Sequence, residues 1–192
     1  MLEDEDLLLA LLNSTPVVSG RSTDELAGAS GKGFVARYGG TGSPAELEHL
    51  RRMRECLQDA VRGSGDALSR LSTALGDGVL VPRVTPEGLR WEVRAPEDER
   101  LAFRAALAWS RVLKELPGRL RPCANNECNL FLIDRSRPGT AKWCSMAVCG
   151  NRMKARTHAG RQRAAAEQQQ LVDSIPDSQA VARTNAWLRE SL

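Results

Sequence analysis

Residues 119–163 read RLRPCANNECNLFLIDRSRPGTAKWCSMAVCGNRMKARTHAGRQR, and four cysteines punctuate them: Cys123, Cys128, Cys144 and Cys149. Two C-x4-C pairs are separated by a hairpin-sized spacer. Close thiolate pairs at this spacing suit one tetrahedral zinc ion, because zinc accepts four soft sulfur ligands. Four thiolates also close the coordination shell, so the reading is a structural ion and not a catalytic one. The two histidines do not alter it: His49 lies in a distant helical pattern and His158 lies nine residues past the last ligand.

Within the segment, Cys123-Ala-Asn-Asn-Glu-Cys128 predicts a tight knuckle, since asparagines tolerate left-handed turn geometry. Leu130–Ile133 is strand-like, Asp134–Gly139 is a turn, and Ala141-Lys142-Trp143 is expected to return as the second strand of a hairpin. A helix follows from Ser145 to about Ala166. Knuckle, hairpin and helix make a small treble-clef-like zinc module. So few residues bury little apolar surface, so the metal should contribute folding energy directly.

The charge distribution singles out the same region. Residues 111–163 hold 12 Lys/Arg against 3 Asp/Glu, whereas residues 1–110 hold 13 against 17 and residues 164–192 hold 2 against 4. Concentrated positive charge beside a metal-stapled module is the footprint of phosphate binding. A merely solvated basic face has the same composition. On a straight helix at 100° per residue, Asn151, Lys154, His158 and Arg161 lie opposite Cys149. Arg152, Arg156 and Arg163 lie on the metal side, where Arg152 either pairs with Asp134 or a hairpin carbonyl, or meets DNA. Arg135, Arg137 and Lys142 on the hairpin are placed to clamp a flanking phosphate. Such contacts supply affinity, and Asn151 is the one neutral side chain among them able to read adenine.

The rest of the chain reads as a helical domain with one β-hairpin over residues 1–117, making the whole α+β and mostly α. Leucines crowd residues 7–12. A helix start is read at Ser22–Glu25, with Gly28, Gly31 and Gly33 interrupting it. No Gly-Lys-Ser/Thr ending makes this glycine run a phosphate loop. Ser43-Pro44-Ala45-Glu46 opens a helix whose Leu47, Leu50, Met53, Leu57 and Val61 form one stripe. Residues 79–93 alternate as a hairpin about Pro86 and Gly88. A long helix follows Pro96 and stops at Pro117-Gly118, the expected domain boundary. Trp91, Phe103 and Trp109 read as core, as does Cys56, the fifth cysteine. The zinc module then spans 118–166. Residues 167–192 read as a Gln168–Gln170 linker and a last helix over 177–192 carrying Trp187.

The full string from Cys123 through Leu130-Phe131, Asp134-Arg-Ser-Arg137 and Trp143-Cys-Ser-Met146 to Cys149-Gly-Asn-Arg152-x-Lys154-x-Arg156 resembles the CGNR zinc-finger family of bacterial proteins. That resemblance implies a zinc-binding, DNA-contacting module. Residues 1–117 look like the ABATE domain that accompanies it, in proteins described as stress-induced transcriptional regulators. Two departures stand out. Ala10 occupies the acidic place before the Leu-Leu-Asn13-Ser14-Thr15 string, and Ala141-Lys142 stands where relatives carry consecutive arginines, which weakens phosphate binding there.

The expected function is a DNA-binding transcriptional regulator, cytoplasmic and nucleoid-associated. Its first domain would sense an unidentified small molecule or assemble a homodimer. The alternatives are a zinc-stabilised protein-interaction module and an RNA-binding one. An enzyme is not expected, since residues 1–117 contain one histidine and no nucleophile–base pairing. Neither is a membrane protein: no apolar run has the length of a span, and the acidic Met1–Asp6 start is unlike a secretory signal. Asn13-Ser14-Thr15 fits a glycosylation pattern, which a cytoplasmic chain never presents to that machinery.

Overall fold

A computed structural model describes residues 2–18 and 20–173 of the chain. Helix α1 (Leu2–Leu12) is followed by two short strands, β1 (Val17–Val18) and β2 (Arg21–Ser22), and by helices α2 (Gly28–Arg37), α3 (Pro44–Arg62) and α4 (Ala67–Leu75). Strands β3 (Val79–Thr85) and β4 (Gly88–Arg94) form an antiparallel hairpin, and a 3-10 turn leads into α5 (Arg100–Glu115). Strands β5 (Leu120–Pro122) and β6 (Phe131–Ile133) pair antiparallel, and a π-helical turn at Met146–Gly150 precedes α6 (Asn151–Asp173). Two compact units result, residues 1–145 and residues from 146 onward. No described helix is long and apolar enough to cross a membrane.

Helix α3 organises the first unit. Ser43 caps it by accepting the Glu46 N–H at 3.0 Å, and Pro44 occupies the first turn, where its missing N–H costs nothing. The Glu46 carboxylate reaches back past the cap to the N–H groups of Thr41 at 2.7 Å and Gly42 at 2.8 Å, while the Ser43 N–H donates to the Thr41 hydroxyl. At the other end Gly63 adopts φ 80°, and the Gly63 and Ser64 N–H groups close on Ala60 and Asp59 carbonyls. Between these signals Leu47, Leu50, Met53 and Leu57 are buried, at the positions of the sequence stripe. They pack with Leu7, Leu8, Leu11 and Leu12 of α1 and Leu101, Ala105, Ala108 and Val112 of α5. Cys56 joins this cluster, and burial pushes its thiol pKa up.

Four sequence expectations change. Helix α2 starts at Gly28 and runs through Gly31 and Gly33, while Arg21 and Ser22 belong to a strand. Gly31 does not interrupt the helix, because it faces the core so closely that a Cβ would collide with the Leu26 carbonyl and press on Leu47. Trp91 is 59% exposed, on a two-stranded hairpin with a bare face, whereas Phe103 is buried and Trp109 packs against the core. The return segment 141–143 forms no strand. Instead β6 pairs with β5, upstream of the first cysteine, because Asp134 holds the turn as described below. Gln168–Gln170 lie in α6, whose run of Ala164–Gln170 has good helix formers and no Gly or Pro. The last helix read at 177–192 lies outside the described residues.

The compact first unit continues past Pro117-Gly118, and Leu120 and Phe131 belong to its core. Leu50 is fully buried at the centre of α3. Leu50→Ala should lower unfolding stability by about 2–5 kcal/mol through lost burial and a residual cavity, read from urea titrations of the full chain.

Candidate metal centre and basic surface

The site is built on the β5–β6 pair. Pro122 has no N–H, so it can face Phe131 only as a pair that exchanges no backbone hydrogen bonds. The N–H and C=O of Phe131 therefore point out of the pair. The Asn13 side-chain amide meets both. Its Oδ1 accepts the Phe131 N–H at 2.7 Å and its Nδ2 donates to the Phe131 carbonyl at 3.2 Å. The neighbouring residues lock in turn. Asn129 Nδ2 donates to the Thr15 carbonyl, Arg54 donates to the buried Ser14 hydroxyl at 2.9 Å, and Gln58 donates to the Leu12 carbonyl at 2.7 Å. The Arg62 guanidinium sits 4.7 Å from the Phe131 ring centroid. Asn13-Ser14-Thr15 thus grips strand β6. Motif reading assigned the string only a glycosylation pattern and a family likeness, because nothing local marks its partner 118 residues away.

From this base the chain makes the knuckle. The Cys123 N–H donates to Leu130 O, the Cys128 N–H donates to Asn125 O, and the Ala124 N–H donates to Lys142 O, each at 2.8 Å. Asn125 is fully buried, and its Oδ1 accepts the Glu127 N–H at 3.3 Å. The four sulfurs of Cys123, Cys128, Cys144 and Cys149 lie within 4.8 Å of one another, with Cys128 and Cys144 3.7 Å apart and no disulfide among them. Zinc–sulfur bonds of about 2.3 Å in a tetrahedron require sulfurs about 3.8 Å apart. The Cys128–Cys144 pair meets that spacing, and the 4.8 Å limit on the rest leaves at most about 1 Å for the sulfurs to close on an ion. The Cys144 N–H points at Cys123 Sγ at 3.5 Å, a donor suited to a thiolate.

The turn between the cysteine pairs is held by one buried carboxylate. Asp134 is 2% exposed. It accepts from the Ser136 hydroxyl at 2.6 Å, the Ser136 N–H at 2.9 Å and the Ala141 N–H at 3.0 Å, and it pairs with Arg121 and Arg119. The Ser136 hydroxyl is the main cause holding its carboxyl below the usual aspartate range; burial opposes this, and the two N–H groups and Arg121 add to the lowering. The sequence reading offered Arg152 as the partner of Asp134. Arg121 and Arg119 take that place, because β5 lies directly beside β6.

Residues 119–162 match the family model described as the CGNR zinc finger. This segment is a CGNR zinc finger. With four cysteines at tetrahedral spacing, it holds one structural zinc ion through Cys123, Cys128, Cys144 and Cys149. The match leaves residues 1–118 outside it, and no curated protein matches the chain.

The basic residues of the CGNR zinc finger and its flank fall into distinct situations. Arg135 is committed to Glu5, through Nε at 3.1 Å and Nη2 at 2.6 Å. Arg137 and Lys142 are exposed and enter no ion pair among the described residues. In α6, Asn151, Arg152, Lys154, Arg156, His158, Arg161 and Arg163 are all exposed. Asn151 Nδ2 donates weakly to Ala147 O at 3.3 Å, and His158 contacts Gln162 at 3.1 Å. Cys149 lies in the π-helical turn, which is wider than an α turn. The straight-helix angle between Cys149 and the basic residues therefore does not apply. Their mutual angles within α6 do.

Two outcomes test this centre. Full-length protein should contain one zinc per chain by elemental analysis, Cys144→Ser should lose it, and Cys56→Ser should retain it. Asp134 contributes stability above the ordinary aspartate pKa of about 3.9. That contribution is lost as pH falls through its lowered folded value, so Asp134→Asn should flatten the acid limb of the thermal stability profile and lower the melting temperature at neutral pH.

Proposed function

We propose that this chain is a DNA-binding transcriptional regulator. In this reading the CGNR zinc finger and α6 contact the duplex, residues 1–117 sense or assemble, and the zinc takes no catalytic part. The distribution of charge on α6 carries the proposal. At 100° per residue Arg152, Arg156 and Arg163 fall within an arc of about 40°, and Lys154 and Arg161 fall about 180–200° from Arg152. The helix therefore has basic rows on opposite sides. A helix seated in a major groove has a phosphate strand on either side, so two opposed rows suit it. From Lys154 to Leu171 every residue is exposed, which leaves both rows accessible.

The same features disfavour RNA. An A-form major groove is too narrow for a helix, and single-strand binders stack bases on exposed aromatic side chains. Phe131 is buried and Trp143 is half-buried. Of the hairpin candidates, Arg137 and Lys142 are free to reach a phosphate, whereas Arg135 would first leave Glu5. A small-molecule ligand of the first domain would find a cleft of about 330 Å³ lined by Asp6, Arg37, Tyr38 and Arg104.

Duplex DNA should bind with a log–log salt slope of roughly −0.9 per phosphate contacted. The Lys154/His158/Arg161→Ala triple variant should retain zinc, bind at least tenfold more weakly and show a shallower slope. Fluorescence anisotropy with duplex and single-stranded oligonucleotides measures both. No binding to either at low salt by zinc-loaded protein would overturn the proposal and favour a protein-interaction module.

A further inference from the structure

The β3–β4 hairpin of the first unit groups Leu80, Pro82, Val84, Leu89, Trp91 and Val93 on one face, while Val79 and Val81 lie on the other with Arg83, Arg90 and Glu92. The register pairs Leu80 with Val93, Pro82 with Trp91, and Val84 with Leu89. Leu80 is 41% exposed, Val84 82%, Leu89 66% and Trp91 59%. Pro82 decides the hydrogen bonding here also. It cannot donate, so Pro82–Trp91 exchanges no backbone bond, and alternation places Leu80–Val93 and Val84–Leu89 in the same class. The N–H and C=O groups of all these residues therefore point away from the hairpin, to its two edges. On the β3 edge, Pro82 interrupts the row of donors. On the β4 edge, Leu89, Trp91 and Val93 present an unbroken row, and no third strand joins the sheet among the described residues.

Charge on the opposite face selects the occupant of that edge. Arg83 lies directly across from Arg90, a like-charged pair that destabilises a ladder. Glu92 is bonded to Arg83 at 2.8 Å, and Arg90 has no carboxylate partner among the described residues. We propose that β4 pairs antiparallel with β4 of a second copy about a two-fold axis at Trp91, forming a four-stranded sheet. In this register Trp91 exchanges backbone bonds with its own counterpart, and Leu89 does so with the second copy's Val93. Arg90 then stands opposite the second copy's Glu92, and the two-fold makes that pair twice. Centring the axis on Arg90 or Glu92 instead would oppose like charges. Centring it on Leu89 or Val93 would shorten the ladder. The occupant that supplies Glu92 opposite Arg90 and an apolar residue opposite Leu89 is this same strand, reversed.

The inference does not depend on DNA binding, and it is tested on the full chain by sedimentation across a concentration series. The wild type should dimerise. Arg90→Glu and Glu92→Arg each convert two attractive pairs into two repulsive ones and should weaken the dimer roughly tenfold. The double variant Arg90→Glu/Glu92→Arg restores complementarity and should recover it. Arg90 is exposed and Glu92 half-buried, and circular dichroism verifies that each variant remains folded. Val84→Ser alters the apolar face but not the β4 edge and should leave the dimer intact. A monomer at all concentrations, a dimer indifferent to the swaps, or a dimer lost on Val84→Ser would each overturn the proposal, the last in favour of face-to-face packing.

Discussion

The Asn13 amide on the Phe131 backbone is the contact that ties the β5–β6 part of the zinc finger to the helices of the first unit. A three-residue strand paired on one side only leaves polar backbone groups that cannot be buried unsatisfied. Pro122 turns those of Phe131 outward, and Asn13, at the end of α1, meets both the donor and the acceptor. With that edge closed, the Phe131 side chain can sit in the core beside the leucines of α1 and α3. Asn13→Ala would remove both bonds together, at a cost of about 1–3 kcal/mol. The helical domain and the first part of the zinc finger are thus one packing unit, although motif and composition divide them at Pro117-Gly118.

Asp134 performs the complementary task inside the finger. Its carboxylate gathers Ser136, Ala141, Arg121 and Arg119 around the turn between the two cysteine pairs. A buried carboxylate is tolerated only when paired and fully hydrogen-bonded. Here the bonds also shape the loop, so that 141–143 can lead Cys144 to the cluster without forming a strand. Positive charge near the finger therefore has two uses. Arg119, Arg121 and Arg135 are spent on Asp134 and Glu5, within the protein, while Arg137, Lys142 and α6 face outward. Net charge alone merges these populations.

Two prolines illustrate how a missing donor organises an edge. Pro122 directs the Phe131 backbone to Asn13, an intramolecular partner. Pro82 directs the Trp91 backbone to an edge that no strand covers among the described residues. The first arrangement is buried and complete. The face beside the second is bare as well, and Trp91, Leu89 and Val84 are exposed there, so the tryptophan expected in the core is found outside it.

The sequence by itself determined the elements whose cause is local. The C-x4-C spacing named the metal and its four ligands, because tetrahedral thiolate coordination constrains spacing. Ser43, Glu46 and Gly63 marked both ends of α3, because caps act within one turn. The 79–93 alternation marked the hairpin, and the basic run marked α6. Tertiary structure decided what depends on partners distant in the chain: that β6 pairs with β5, that Arg121 and not Arg152 meets Asp134, that Asn13 closes the edge of Phe131, and that Gly31 is held inside a helix. Periodicity states that a face is apolar or an edge polar. Which group satisfies that face or edge is settled only when the folded chain brings it within contact distance.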